Sequence, residues 1–227
     1  MINTMSQQLT LGIRLRDDAT FDNYFADDNT QVVYNLQSQQ EPYIFLFGEA
    51  GTGKTHLLQA ACHASGKKGL PVVYLPLSEE DLVPAMLDGL ENMSLIALDD
   101  IHHVVGDDAW ELALFNLYNR VRERGGFMLV SSSIPLASLN IKLADLRSRF
   151  SWGPVFQLTA LSDKGKQYAL QQRAKNRGLE LSDDAVKYLL KRSSRDMNSL
   201  FLLFEKLDKA SMIEKRKLTI PFIKNYL

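Results

Sequence analysis

The segment GEAGTGKTH, Gly48 to His56, places glycines, a lysine and a threonine at the spacing of a phosphate-binding loop. It matches the pattern Gly-x-x-x-x-Gly-Lys-Thr between an apolar run and a helix-like pattern. Glycines let backbone N–H groups curl around phosphates, and a helix N-terminus favours their negative charge. We expect Lys54 to reach the β- and any γ-phosphate and the Thr55 hydroxyl to ligate Mg²⁺. The other residues expected to line the nucleotide are Gly48, Gly51, Thr52, Gly53 and His56.

A phosphate-binding loop of this kind needs an acidic metal partner at the end of a strand. The segment SLIALDD supplies two carboxylates directly after an apolar run. Asp99 fits the carboxylate on the Mg²⁺ side, and Asp100 is placed to orient or polarise a water. Aspartate at position 100 has a shorter arm than glutamate, so slow hydrolysis is expected.

Composition limits the classes of function. The chain has 227 residues, 45% of them apolar and 23% charged, and a net charge of −1. It therefore lacks the overall basic field of a nucleic-acid-binding protein, and we expect direct DNA binding to be weak or indirect. Cys62 is the only cysteine, and no segment reads as a signal peptide or a membrane span. We expect a cytoplasmic protein without a membrane partner.

Two kinds of pattern divide the chain. Apolar runs separated by helical patterns predict an α/β fold, with a parallel five-stranded sheet covered by helices on both faces. The five runs are 43–47, 72–77, 94–100, 127–133 and 155–161. From Leu161 onward the patterns are helical only. We predict a flexible N-terminal arm at 1–18, a nucleotide-binding domain at 19–160 and a small all-helical lid domain at 161–227, with Trp110 and Trp152 as packing residues.

Several segments, taken in order, resemble the AAA+ domain of the bacterial replication initiator DnaA. They are ATFDNYF, FLFGEAGTGKTHLLQAA, LIALDDI, LADLRSRFSWG and SSRDMNSLF. The sequence ends at Leu227, where DnaA would continue into its DNA-binding domain, and a chain of this extent resembles the Hda family of DnaA-related regulatory inactivators. The resemblance implies a nucleoside diphosphate, ADP, with Mg²⁺ as cofactors. It also implies DnaA and the DNA polymerase sliding clamp as partners, with hydrolysis of DnaA-bound ATP as the outcome.

The resemblance assigns roles to individual positions. Arg149 matches the arginine finger that reaches nucleotide on a neighbouring subunit, although a surface arginine paired with Asp145 is the simpler alternative. Arg195 matches the lid arginine that senses phosphate in the same subunit, and a solvated charge at a helix end is its alternative. Phe21 and Tyr24 match the segment beside the base and ribose, and core packing is their alternative. Ser133 stands where DnaA has an acidic residue, which further favours weak intrinsic turnover.

The N-terminal arm contains QQLTLGI, which resembles a clamp-binding peptide of the form Gln-Leu-Ser/Asp-Leu-Pro-Leu. Gln8, Leu9 and Leu11 match, whereas Gly12 and Ile13 replace Pro-Leu. An extended peptide of this type plants apolar side chains in a groove. An edge strand in the protein's own sheet or in an oligomer is the alternative.

Two other functions remain open. A self-assembling AAA+ ATPase, or a helicase-loader-like protein, would use Arg149 on a sister subunit and show ATPase activity that rises with protein concentration. A small P-loop kinase would need an acceptor pocket, and the helical lid and the RSRFSWG segment fit that poorly. Of these functions, we expect the regulation of DnaA that the resemblance implies. Homo-oligomers are a further possible assembly.

Overall fold

The computed structural model describes Leu15, residues 19–194 and residues 196–227. Five strands form one parallel sheet in the order β2-β3-β4-β1-β5. The strands are β1 (Tyr43–Phe47), β2 (Val72–Pro76), β3 (Leu95–Asp99), β4 (Phe127–Ser132) and β5 (Val155–Gln157). The predicted five-stranded parallel sheet is confirmed, although β5 is much shorter than the predicted run of 155–161.

Helices cover both faces of the sheet, as the continuous apolar strands predicted. The helices of this part are α1 (Thr30–Ser38), α2 (Lys54–Lys67), α3 (Asp108–Arg124) and α4 (Ala144–Phe150). Alternate strand residues point to opposite faces, so Ile44 and Leu46 pack with α1 and α2, whereas Tyr43 and Phe45 pack with α3 and α4. Two separate apolar clusters result, one on each face of the sheet.

The C-terminal part is a helical lid with an apolar cluster of its own. Its helices are α5 (Asp163–Asn176), α6 (Asp183–Arg192), α7 (Met197–Glu214) and α8 (Ile220–Lys224). Ser162 caps α5 by accepting a hydrogen bond from the backbone N–H of Gly165, and Gly178, with φ of +70°, follows the end of that helix. The predicted helical lid is therefore confirmed. None of the helices in the described part of the chain combines the length and apolar composition that crossing a bilayer requires.

Candidate nucleotide-binding site

The phosphate-binding loop joins the carboxyl end of β1 to the first residue of α2. Gly51 and Gly53 have φ of +80° and +94°, a region that favours glycine. A Cβ at Gly53 would lie 2.7 Å from Cε2 of Tyr24, and one at Gly51 would lie 2.6 Å from Oδ1 of Asp196. The loop is thus enclosed by the N-terminal segment on one side and the lid on the other. At Gly51 and Gly53 only glycine fits, and the absence of side chains there leaves the backbone N–H groups of the loop accessible to phosphate.

Lys54, the first residue of α2, is buried and folds back over the loop. Its Nζ donates hydrogen bonds to the backbone carbonyls of Gly48 at 2.8 Å and of Glu49 at 3.2 Å. Burial lowers the pKa of Lys54, and the nearby carboxylates of Asp100 and Asp99 oppose that effect. An ammonium held inside the loop by neutral carbonyls can turn towards a phosphate without leaving its site. Thr52, also buried, donates its hydroxyl hydrogen bond to the Glu49 carbonyl at 2.8 Å.

Asp99, the last residue of β3, is the centre of a cluster of hydroxyl groups. The hydroxyl of Thr55 donates to Oδ2 of Asp99 at 2.7 Å, and that of Tyr74 donates to the same oxygen at 2.8 Å. The hydroxyl of Ser131 donates to Oδ1. Thr55 and Asp99 therefore stand together, as a Mg²⁺ site of a phosphate-binding loop requires. Tyr74 and Ser131 are not among the residues predicted from the sequence. The serines that end the run 127–133 are a signal that could have indicated Ser131, whereas Tyr74 lies in the middle of β2 and has no such signal.

The donor set fits magnesium rather than a metal enclosed by protein ligands. Among the described residues, no group of three or more His, Cys, Asp and Glu side chains is arranged to hold a metal ion. Mg²⁺ usually takes one or two protein oxygens and completes its shell with water and phosphate oxygens. One hydroxyl from Thr55 and one carboxylate from Asp99 match that requirement.

Asp100 has a very different environment from its neighbour. Its backbone is left-handed, with φ of 57°, and its N–H donates to Ser131 Oγ at 2.9 Å. Its Oδ1 is buried without a hydrogen-bond partner in the described part of the chain, and Nδ1 of His102 lies 3.9 Å away. Burial, and then the charge of Asp99, raise the pKa of Asp100, while Lys54 and the adjacent histidines oppose the rise.

A cavity of about 220 Å³ lies between the phosphate-binding loop and the lid. Of the predicted site residues, it is lined by Gly51, Gly53, Lys54, Thr55, His56 and Asp100. Ser133 also lines it. The lid contributes residues that sequence reasoning missed, namely Ala169, Gln172, Arg173, Asn176, Met197, Asn198 and Phe201. These residues come from α5 and the start of α7, so the cavity has one wall from each half of the chain.

Arg173 is the charged residue of the lid wall. Its Nη2 donates to Oε1 of Glu205 at 2.7 Å, and its guanidinium lies over the ring of Phe201, 4.5 Å from the centroid. These two contacts hold the guanidinium in a defined position beside the cavity. No motif in the sequence distinguishes Arg173 from the other basic residues of α5, because its place in the wall depends on how the lid packs.

The two predicted aromatic residues do not line the cavity. Tyr24 packs its ring against Gly53, and its ring centroid lies 5.4 Å from that of His56. His56 in turn shares a hydrogen bond of 2.8 Å with the carbonyl of Thr20. Phe21 packs against the apolar cluster of α1 and α2. Tyr24 packs against the loop from outside the cavity and Phe21 packs in the core, which agrees with the core-packing alternative, and Asn23 of the same segment lines the cavity.

Arg149 lies at the end of α4, outside the residues that line the cavity. Its guanidinium stacks on the ring of Trp152, 4.7 Å from the centroid, and no ion pair with Asp145 is found among the described residues. The guanidinium of Arg122 also lies 4.7 Å from that centroid. Trp152 is 58% exposed, so its assignment as a packing residue was wrong. The result is a surface with an exposed indole between two arginines.

Four predicted residues lie outside the described part of the chain. They are Gln8, Leu9 and Leu11 of the N-terminal arm, and Arg195 of the lid. Their roles stay predictions from the sequence.

Both halves of the chain match models of known protein families. Residues 18–157 match the family model of the bacterial DnaA ATPase domain, and residues 163–227 match that of the Hda lid domain. Domain III of DnaA from Thermotoga maritima is similar in structure, with a TM-score of 0.82 at 20% identity over 95% of this chain and 98% of that one. AMPPCP-bound DnaA from Aquifex aeolicus has a TM-score of 0.69 at 23% identity over 89% of this chain and 71% of that one.

A branch-migration motor shares the fold as well. RuvB from Thermotoga maritima has a TM-score of 0.69 at 18% identity, over 92% of this chain and 70% of that one. At such identities the structural likeness establishes a common fold. The family models, which together extend over both halves of the chain, carry the more specific information.

Proposed function

Because this chain belongs to the bacterial DnaA ATPase-domain family, we propose that it is a nucleotide-bound regulator of replication initiation. Together with the sliding clamp, it stimulates hydrolysis of the ATP bound to DnaA and so inactivates the initiator. The match of the C-terminal helices to the Hda lid domain supports this assignment over that of the initiator itself.

The proposed resident cofactor is ADP with Mg²⁺, and the geometry of the phosphate-binding loop supports the nucleotide part of this proposal. The two left-handed glycines, the folded-back Lys54 and the start of α2 form a cradle for phosphate groups. Thr55 and Asp99 would hold the magnesium ion, which neutralises phosphate charge when it is bound. Binding of a nucleotide analogue by the related DnaA from Aquifex aeolicus supports the same use of this fold.

Turnover by the protein alone is expected to be slow. Asp100 has a short side chain on a left-handed backbone, which limits its reach towards an attacking water. Ser133, which lines the same cavity as Asp100, contributes no charge to it. The nucleotide therefore serves chiefly to hold the lid and the interface in one shape.

The position of Arg149 is the observation that carries the proposal. Its guanidinium is absent from the cavity of its own chain and stacks on an exposed indole at the surface. An arginine in that position can reach nucleotide on a neighbouring protein, where it stabilises charge on the transferring phosphoryl group. We assign clamp binding to the arm residues Gln8, Leu9 and Leu11. Their resemblance to a clamp-binding peptide rests on sequence.

The test is single-turnover hydrolysis of ATP prebound to DnaA, with and without this protein, ADP and DNA-loaded clamp. The Arg149→Ala variant should lose an acceleration of about 10³-fold, because a finger supplied by a partner contributes a factor of this order. Arg149→Lys should recover little of it, since a point charge lacks the planar donor geometry. Arg192→Ala, which removes an exposed arginine of the lid, is the matched control.

An unchanged acceleration by Arg149→Ala protein would remove the finger role. If the protein also hydrolysed ATP alone at a rate rising with its own concentration, the self-assembling ATPase would be the better description. Loss of acceleration on omission of the clamp, or on substitution of Gln8 and Leu9 by alanine, would support the clamp as the docking partner.

A further inference from the structure

Glu111 is a buried carboxylate whose oxygens accept hydrogen bonds from the backbone of two loops. It lies on α3, is 1% exposed and packs beneath two loops. Its Oε1 accepts hydrogen bonds from the backbone N–H groups of Gly106 at 2.8 Å and Lys142 at 3.0 Å. Its Oε2 accepts one from the N–H of Leu143 at 2.7 Å. Burying a carboxylate is costly unless it is fully hydrogen-bonded, so these N–H groups and Glu111 depend on one another.

The two loops lead to the two chemical parts of the molecule. The first loop starts at Asp100, directly after the magnesium-side carboxylate, and reaches Gly106 through the turn Ile101–His103. The second loop ends at Leu143, where α4 begins. Glu111 therefore joins the segment beside the nucleotide to the helix that carries Arg149.

Other contacts at the start of α4 are weaker or more local. Lys142 pairs its Nζ with Asp108 at 2.9 Å, but both side chains are exposed, and surface pairs contribute little. The guanidinium of Arg147 donates to the carbonyl of Ile141, which fixes α4 to its own preceding loop. Apolar packing in the cluster that contains Ile101 and Ile141 also joins the two segments, but among the hydrogen bonds described here those of Glu111 are the ones that the start of α4 shares with the segment that follows Asp100.

We propose that Glu111 is a positioning residue for the arginine finger, an inference that rests on the proposed function. Arg149 lies six residues beyond Leu143, about 9 Å along the axis of a short helix. A change in the direction of α4 at its first residue is carried to the guanidinium, because a single rigid helix joins the two. The Glu111 carboxylate fixes that direction relative to the nucleotide-side loop.

The Glu111→Gln variant tests this role with nearly unchanged side-chain volume. An amide keeps one acceptor and turns an NH₂ donor towards a backbone N–H, so at least one of the two loops is released. The acceleration of DnaA-bound ATP hydrolysis should fall about 10- to 100-fold, because small misplacement of a catalytic group has costs of this order. The affinity for ADP should be unchanged, because Glu111 does not line the cavity.

A second readout reports the position of Arg149 without any partner. In a background that carries Trp110→Phe and Arg122→Ala, which removes the other indole and the other guanidinium on the ring, the emission of Trp152 reports the guanidinium of Arg149. Glu111→Gln should change this emission, and Glu123→Gln, the same neutralisation on the exposed side of α3, should leave both emission and acceleration unchanged. If Glu111→Gln does not fold, Glu111→Asp replaces it, since the shorter carboxylate cannot reach both loops.

The outcomes separate this inference from the proposed function. Full acceleration or unchanged Trp152 emission in Glu111→Gln protein overturns the positioning role. A parallel loss of ADP affinity also overturns it, because Glu111 would then support the whole domain rather than α4. If Arg149→Ala protein keeps its acceleration, the finger role fails, and the emission of Trp152 still decides whether Glu111 sets the position of Arg149.

Discussion

At the scale of single residues, two adjacent aspartates have opposite surroundings. Asp99 accepts hydrogen bonds from the hydroxyls of Thr55, Tyr74 and Ser131. Asp100 has a buried oxygen without a hydrogen-bond partner in the described part of the chain, and its pKa is raised by burial and by Asp99. Paired carboxylates with different environments commonly take different roles. Here three hydroxyl groups hold Asp99 in a position that suits a metal ligand, whereas the charge of Asp100 is destabilising.

We predict that Asp100→Asn raises the melting temperature of the nucleotide-free protein at neutral pH. A carboxyl group whose folded pKa is above its unfolded pKa opposes folding once it is ionised. That cost is absent at pH values below the unfolded pKa and complete above the raised folded pKa. The gain in stability should therefore be present at pH 7 and vanish in acid, as followed by thermal unfolding across pH. Asp81→Asn, at an exposed position, should change nothing, and a lower melting temperature for Asp100→Asn at pH 7 would contradict the prediction.

Residues that belong to a local pattern could be predicted from the sequence, and residues assembled by packing could not. The loop from Gly48 to Thr55 is contiguous, and Asp99 follows an apolar run, so each has a local signature. Tyr74, Ser131 and Arg173 reach the site from separate elements. Glu111 reads as one more charge on an amphipathic helix, because nothing local indicates that backbone N–H groups from two loops surround it.

At the scale of elements, the N-terminal strap, residues 20–29, connects the phosphate-binding loop to the base of the lid. Tyr24 packs on Gly53 at one end. At the other end the side-chain amide of Asn29 pairs with the backbone of Thr159, accepting from its N–H at 3.0 Å and donating to its carbonyl at 3.2 Å. Asp27 accepts from the N–H of Ser162 at 2.8 Å, and the ring of Phe25 lies 4.8 Å from that of Tyr168.

We predict that Asn29→Ala weakens this connection and speeds the release of ADP. Losing the hydrogen bonds to Thr159 leaves a backbone N–H and carbonyl unpaired, which should lower the free energy of unfolding by about 1–3 kcal/mol. Dissociation of fluorescent ADP, measured by stopped flow, should accelerate because the lid is less constrained. Asn35→Ala, which removes an exposed hydrogen bond within α1, is the control. Equal ADP dissociation rates for Asn29→Ala and the parent protein would contradict the role of the strap.

The strap also explains why β5 is shorter than its apolar run predicts. Leu158 still donates its N–H to the carbonyl of Phe47, but the next residue, Thr159, pairs with the Asn29 side chain instead of a strand. The pattern VFQLTAL indicates extended backbone correctly up to this point. The partner that ends the strand lies 130 residues away, so no local pattern could indicate it.

At the scale of the whole molecule, the site lies at the carboxyl ends of the strands, where parallel sheets commonly bind ligands. The carboxyl ends of β1, β3 and β4 meet at one edge, where the phosphate-binding loop, Asp99 and Ser131 converge. The lid has a separate apolar cluster and contributes the facing wall of the cavity. A ligand in this cavity contacts both halves and therefore stabilises the folded chain as a unit.

We predict that ADP with Mg²⁺ stabilises the protein against heat and that Lys54→Ala abolishes this stabilisation. A ligand at one hundred times its dissociation constant adds about 2.7 kcal/mol to the free energy of unfolding. Lys54→Ala removes the buried ammonium that turns towards phosphate, while Lys68→Ala, at the exposed end of α2, should respond as the parent does. Thermal unfolding with and without ADP checks the prediction, and an undiminished ADP shift in Lys54→Ala protein would rule out the loop as the nucleotide site.

The double attachment of the lid has a geometric consequence. Residues 158–162 lead from the sheet into the lid. Asn29 and Asp27 of the strap form hydrogen bonds with the backbone of this same segment. We expect a lid whose hydrogen bonds to the rest of the chain concentrate on this short segment to rotate about the segment more readily than it slides or twists. We therefore expect the opening of the cavity to follow a single angle between the lid and the phosphate-binding loop. A bound nucleotide, which contacts both walls of the cavity, would then set that angle.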